Sequence, residues 1–191
     1  FENGDDTDAT IVLSEADGMP YIYTGCEVDR RSDSTACFRK LNALTGELAW
    51  ENKILGKRVD INEKHFDGGY YATPLLGTGN CANLVFANCV TNTNGQNGCL
   101  VAFERKTGKV AYRTPLKRYA WSSPVGFTNE NDEMFIFTAD TFGYVYLING
   151  SDGSIIYKEK VGYNFESSPV VIGNSVVIGS RGWHIYKMTI M

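Results

Sequence analysis

The ten residues Leu41 to Trp50, LNALTGELAW, come back twice, as Ala102 to Tyr112 (AFERKTGKVAY) and as Leu147 to Tyr157 (LINGSDGSIIY). Each copy has an apolar run, a polar residue (Asn42, Glu104, Asn149) and a turn at Thr45-Gly46, Thr107-Gly108 or Asp152-Gly153. An aromatic follows four residues after the glycine: Trp50, Tyr112 and Tyr157. Glycine at that place supplies the positive φ of a tight hairpin turn, so each copy predicts two antiparallel strands joined by a short connection. A feature that recurs at this length scale excludes most folds, because one supersecondary unit has been copied along the chain.

The rest of each copy can be placed around that hairpin. A small-residue step opens a short strand at Ala9-Thr10-Ile11, Ala72-Thr73-Pro74, Ser122-Ser123-Pro124 and Ser167-Ser168-Pro169. A second strand follows from Tyr21, Leu84, Met134 and Ser175, and the fourth copy stops after its third strand, near Met191. The opening steps lie 63, 50 and 45 residues apart. Four-strand repeats of roughly 40–50 residues predict an all-β chain of β-propeller blades, with a two-sheet β-sandwich as the alternative. The expected organisation is a flexible lead over 1–8 and blades over 9–53, 72–114, 122–160 and 168–191, the last incomplete. The composition agrees: 43% hydrophobic, 13% aromatic, 20 Gly and only 5 Pro, which is folded and strand-rich. The net charge of −4, with both signs interspersed, leaves no basic stripe for nucleic acid. No apolar run approaches the ~18 residues of a membrane span. The start at Phe1, without Met or a signal-like segment, reads as a mature or trimmed product.

With Thr45-Gly46 and Trp50, Thr107-Gly108 and Tyr112, and Ala102 at its first position, the repeat resembles that of the pyrroloquinoline-quinone (PQQ)-type, or quinoprotein alcohol dehydrogenase-like, propellers. Asn42 and Glu104 replace the aspartate of that signature, and Asp152-Gly153 with Tyr157 is a weaker copy. The resemblance implies that Trp50, Tyr112 and Tyr157 are structural, packing between neighbouring blades. It also implies a ring of seven or eight blades. The chain then reads as a C-terminal fragment, its open faces covered by the remaining blades of the same protein or by a second copy. Two functions follow from the resemblance. One is a non-catalytic, extracytoplasmic module binding or scaffolding another protein or a carbohydrate, with no cofactor. The alternative is a fragment of a quinone-dependent alcohol or sugar dehydrogenase, holding PQQ and calcium; no calcium-site residue can be matched here.

The long insertions fall in the second-to-third loops, Glu27 to Ala36 and Val90 to Gly98, and in the blade-to-blade connection Ile54 to Tyr71. Up-and-down strands put these on one face, which becomes the candidate functional face. Insertions that are merely tolerated are the competing reading. Cys26 lies 15 residues after Ile11 and Cys89 lies 15 after Pro74, while Cys37 and Cys99 each precede their turn glycine by 9. Each of the first two blades therefore places one cysteine at the end of its second strand and one at the start of its third. This predicts disulfides Cys26–Cys37 and Cys89–Cys99 and, with them, a secreted, cell-surface or periplasmic setting. Reduced thiols or a metal site are the alternatives, although the Cys-x-x-Cys spacing of metal sites is absent. Cys81 is left over, free or paired outside this stretch.

Before the inner strands stand Tyr70, Tyr71, Arg118, Tyr119, Trp121, Tyr163, Phe165 and Glu166, with Arg181 in the last hairpin. These form the candidate ligand face at the channel mouth, suited to a sugar or planar ligand; packing between blades is the alternative. No catalytic residues and no metal site are predicted. His65 and His184 are spaced for neither a triad nor a zinc site, Gly77-Thr78-Gly79 lacks the lysine of a phosphate loop, and the sequon at Asn149 overlaps a turn.

Overall fold

The computed structural model describes residues 1–16, 18–29, 35–53, 59–61, 64–66, 68–91 and 97–190. The tips of all three long insertions, and the side chain of His65, lie outside the described residues. Blade 1 contains β1 (Val12–Ala16), β2 (Met19–Gly25), β4 (Cys37–Asn42) and β5 (Leu48–Lys53), with the short β3 (Glu27–Val28) between β2 and β4. The connection to blade 2 carries β6 (Val59–Ile61), β7 (Lys64–Phe66) and β8 (Gly68–Gly69). Blade 2 is built from β9 (Leu75–Leu76), a 3-10 turn at Gly79–Cys81, β10 (Leu84–Val90), β11 (Gly98–Glu104) and β12 (Val110–Pro115). Blade 3 has β13 (Val125–Thr128), β14 (Met134–Ala139), β15 (Tyr144–Asn149) and β16 (Ile155–Lys160). Blade 4 has three strands among the described residues, β17 (Val170–Ile172), β18 (Ser175–Ser180) and β19 (His184–Thr189). Blades 1 and 3 are four-stranded antiparallel sheets in sequential order, and blade 4 follows the same path without a fourth strand. Blade 2 is widened, because β8 pairs with the end of β10 and β3 pairs with β8.

The repeated turns explain why their residues recur. Gly46 and Gly108 both sit at φ +72° and Gly153 at +77°. The amides of Gly46, Gly108 and Gly153 donate to the carbonyls of Asn42, Glu104 and Asn149 at 2.8–2.9 Å. The Asn42 side chain accepts from the amides of Leu44 and Thr45, and Asn149 accepts from Ser151, so the polar residue closes the turn. Thr45 and Thr107 accept from the amides two residues on, at 3.2 Å.

Each third-to-fourth pair carries a bulge in the same place: Lys40/Leu41, Ala102/Phe103 and Leu147/Ile148. The bulge turns the residue two after the glycine toward the preceding blade and the aromatic four after it toward the following one. Rows of side chains therefore run across each sheet. The rear row of blade 2 is Leu76–Val85–Phe103–Val110, and that of blade 3 is Gly126–Ile136–Ile148–Ile155. The forward row of blade 1 is Tyr23–Lys40–Trp50, and that of blade 2 is Phe86–Ala102–Tyr112. Forward and rear rows meet in three separate cores. Tyr23 and Trp50 pack on Val85 and Phe103, Phe86 and Ala102 on Ile136 and Ile148, and Phe137 on Val176.

Trp50 and Tyr112 thus stand between blades. The Trp50 indole donates to the Arg105 carbonyl at 3.0 Å, and the Tyr112 hydroxyl donates to Gly150 at 2.6 Å. Tyr157 holds the same register, opposite Leu147, but is 49% exposed. The hairpin that would cover it has no counterpart among the described residues of blade 4. The lead is tied to blade 1: the buried Arg39 donates to Asn3 at 2.6 and 2.7 Å and to Glu51 at 2.7 Å, and the Glu27 amide donates to Asp6.

Candidate functional site

The spacing predicts disulfides Cys26–Cys37 and Cys89–Cys99; the structure places the members of each pair on neighbouring strands. Cys89 and Cys99 are directly opposite on β10 and β11, and the Cys26 amide donates to the Cys37 carbonyl at 3.0 Å. The five sulfurs are unbonded in the structure. The two pairs differ chemically. The hydrogen bond from Cys37, helped by Arg39, pulls the Cys26 thiol down to about 6 and pushes Cys37 up. Burial drives Cys89 well up and Cys99 up to about 11.

The candidate ligand residues divide into three groups. Tyr70 and Phe165 are wholly buried and face the interior between blades, which takes them off the accessible face. Tyr70 tilts against Phe38 at 5.3 Å, and Gly25 leaves it room, since a Cβ there would lie 2.5 Å from the Tyr70 Cβ. Tyr163, Glu166 and Arg181 form a group at the entrance of blade 4, where Arg181 pairs with Glu166 at 3.0 Å and Tyr163 is 70% exposed. Tyr71, Arg118, Tyr119 and Trp121 come together in one aromatic patch.

That patch is assembled from the connection between blades 2 and 3. Leu116 and Ala120 point into the core between those blades, and Trp121, between them and the inner strand, points out. Trp121 tilts against Tyr71 at 5.5 Å and against Tyr119 at 5.2 Å between ring centroids. The Arg118 guanidinium lies 4.4 Å from the Phe142 ring centroid and 5.5 Å from that of Tyr119, both within cation–π range. Its Nε is buried and bonded to nothing among the described residues.

Asp140 holds the patch in place. Its carboxylate accepts from the Arg118 amide at 3.2 Å, the Phe142 amide at 2.9 Å, the Tyr144 amide at 3.1 Å and the Tyr146 hydroxyl at 2.6 Å. The Tyr146 hydroxyl in turn accepts from the Lys117 amide, and Thr141 donates twice to the Tyr119 carbonyl. Burial raises the Asp140 carboxyl above the ordinary range, against these hydrogen bonds. Two faces of the site, the connection over 117–121 and the turn over 140–144, are therefore locked together by one buried acid. Sequence reasoning passed over Asp140 and Phe142. The signal available was the Asp-Thr-Phe-Gly turn itself, since a buried Asp before a glycine turn caps neighbouring amides.

The arrangement can bind but brings together no nucleophile and base. Among the described residues no three His, Cys, Asp or Glu side chains converge where a metal ion could sit. His184 is on β19 at an exposed position, with its ring nitrogen against the Gly182 carbonyl.

Comparison with known proteins agrees with this geometry. A family model described as outer membrane protein assembly factor BamB matches residues 96–190. The crystal structure of BamB from Moraxella catarrhalis superposes with a TM-score of 0.62 at 15% identity, over 99% of this chain and 48% of that one. The computationally designed Ika8 protein gives 0.60 at 12% identity, over 96% and 46% of the two chains. The designed Ika4 protein gives 0.60 at 13% identity, over 98% and 92%. The chain thus spans about half the length of the BamB and Ika8 structures. No curated protein sequence matches it.

Proposed function

We infer, for a chain whose blades are of the pyrroloquinoline-quinone repeat type, a non-catalytic module that binds or scaffolds another macromolecule outside the cytoplasm. The observation that carries this reading is the patch of Tyr71, Arg118, Tyr119, Trp121 and Phe142, which Asp140 fixes before any ligand arrives. Tyr, Trp and Arg dominate the energetics of protein interfaces, and a patch held rigid loses little entropy on binding. Trp121 and Phe142 are 37% and 47% exposed, so their surface is available. The likeness to an assembly factor supports a protein partner over a small substrate. The face-to-face cysteines of blades 1 and 2 support two disulfides and hence an oxidising compartment.

The test selects displayed random peptides on the intact protein and re-measures the enriched clones on Trp121→Ala and Arg118→Ala variants of unchanged melting temperature. Clones that lose at least tenfold in affinity support this face. Clones that bind the variants equally well remove it. A melting shift of several degrees with micromolar quinone and calcium would replace the non-catalytic reading with the dehydrogenase one.

A further inference from the structure

We propose that Arg118 sets the specificity of the aromatic patch, and that the partner polypeptide brings it a carboxylate: an Asp or Glu close in sequence to an apolar side chain. The proposal rests on reading that patch as a binding surface and adds the chemistry of what the patch takes. The blades beneath it are complete, with β9 to β12 and β13 to β16 each paired within one sheet.

The acids on this face are already engaged. One Asp140 oxygen accepts from the Phe142 and Tyr144 amides, and the other accepts from the Arg118 amide and the Tyr146 hydroxyl. Glu166 accepts from Arg181 at 3.0 Å and from the Asn164 side chain at 2.8 Å. The half-buried Arg118 is left over: its guanidinium lies over the Phe142 and Tyr119 rings and pairs with no carboxylate among the described residues. Its buried Nε finds no acceptor there either. Lys117, the preceding residue, is exposed and adds a second positive charge. In a protein of net charge −4 this is a local positive spot among aromatic rings.

The shape of the group selects the anion. A ring engages a guanidinium through its face and leaves the donors along its edge free, and that edge matches the two oxygens of a carboxylate. A phosphate is ordinarily gathered by several donors at once, a cluster of arginines or a row of backbone amides; here one fork stands beside one exposed lysine. Partial burial strengthens the pairing, because water screens it less. The apolar requirement comes from the other half of the patch. Tyr119 lies between Arg118 and Trp121, 5.5 Å from the guanidinium and 5.2 Å from the indole. In an extended segment, at about 3.3 Å per residue, the acid and the side chain resting on Trp121 are then no more than about three residues apart. One short stretch of polypeptide meets both anchors, and Asp140 keeps their separation fixed.

The test takes displayed seven-residue random peptides on the intact protein and keeps those whose binding is lost on Trp121→Ala. Synthetic peptides of these clones, each with its Asp or Glu also replaced by Asn or Gln, are measured by calorimetry on the unsubstituted protein and on Arg118→Gln. The expected peptides carry an acid near an aromatic or leucine. Removing the acid should weaken binding at least tenfold on the unsubstituted protein and less than twofold on Arg118→Gln. The first of these measurements changes only the peptide, so it stands even if Arg118→Gln loosens the turn at Phe142. Neutral peptides that need Trp121 and bind as tightly would overturn the acid requirement while leaving the patch as a binding surface. The absence of any peptide that needs Trp121 would overturn both. An equal loss on the two proteins would show that the acid meets another cation, and phosphoserine binding at least tenfold more tightly than Asp would make this a phosphate site; either result ends the proposal.

Discussion

The same alanine substitution at two glycines separates the cost of a turn from the cost of a blade contact. Gly46 and Gly108 sit at matched places in their hairpins, both at φ +72°. Alanine at either must adopt the left-handed region, at roughly 1–2 kcal/mol. The surroundings differ. A Cβ at Gly46 meets nothing within 4 Å, whereas one at Gly108 lies 2.6 Å from Cδ2 and Cε3 of Trp50. The indole is buried, stacked over Phe103 at 6.4 Å and anchored to the Arg105 carbonyl, so it cannot swing away. Overpacking of this kind adds about 1–3 kcal/mol. Gly46→Ala should thus cost about 1–2 kcal/mol and Gly108→Ala about 2–5 kcal/mol. Urea unfolding followed by Trp fluorescence reads the difference: with a slope of about 2 kcal/mol/M the Gly108 midpoint should fall below that of Gly46→Ala by about 0.5–1.5 M. Equal midpoints for the two variants would refute ring-on-turn packing as the contact that joins the blades. If a partner later covers blade 1, Gly46→Ala should become as costly as Gly108→Ala in its presence.

Other outcomes follow from single residues. Oxidised protein should weigh four protons less than the reduced form, with Cys26 linked to Cys37, Cys89 to Cys99, and Cys81 unlinked by peptide mapping; each closed loop of ~10 residues should add roughly 2–3 kcal/mol. In reduced, folded protein the Cys26–Cys37 bond should form first under mild oxidant at neutral pH, since its thiol at about 6 is largely thiolate while Cys99 is at about 11; formation of Cys89–Cys99 first would contradict the assignment. Asp140→Ala should destabilise by about 3 kcal/mol or more and abolish binding at the patch, with Asp140→Asn milder because one acceptor oxygen remains; a neutral Asp140→Ala would show that the patch is not held by that carboxylate. Burial, with Asp8, Asp29 and Asp6 nearby, raises the Glu27 carboxyl from 4.5 to about 8. The folded state then binds the extra proton between those values, so stability should fall as pH rises from about 4.5 to 8, and Glu27→Gln should flatten the slope of melting temperature against pH; an unchanged slope would dismiss the assignment.

The blades were legible in the sequence because a turn glycine and its flanking oxygens act locally. Asn42, Thr45 and Gly46 close their turn with one another, whatever lies beyond it. The placing of Cys89 opposite Cys99 was legible for the same reason, since two adjacent antiparallel strands fix their register from the turn they share. The bulge was not. Plain alternation puts the residues two and four after the glycine on one face, and only the inserted residue sends Val110 to one core and Tyr112 to the next. Nor could the sequence show that Gly68 and Gly69 extend blade 2, because a two-residue strand without side chains has no pattern. Tyr70 and Phe165 share the composition of the exposed patch; their burial depends on which blade stands opposite, a tertiary fact. Asp140 is one aspartate among many until the connection it holds is folded beside it.

The position of the aromatic patch, and its distance from the β19 edge, follow from how the blades are sealed. The patch stands over the junction of blades 2 and 3, where both neighbours are complete and Leu116 and Ala120 anchor the connection in the core. Such a floor supplies the rigidity that a binding surface needs. The edge of β19 is the opposite case: among the described residues it is paired with β18 only, and Tyr157 beside it is 49% exposed. On a repeat scaffold each unit contacts only its neighbours, so the two surfaces should be energetically separate. Trp121→Ala should leave amide hydrogen exchange along β18 and β19 unchanged. Coupling beyond about 0.5 kcal/mol between them would show instead that blades 3 and 4 move as one body with the patch.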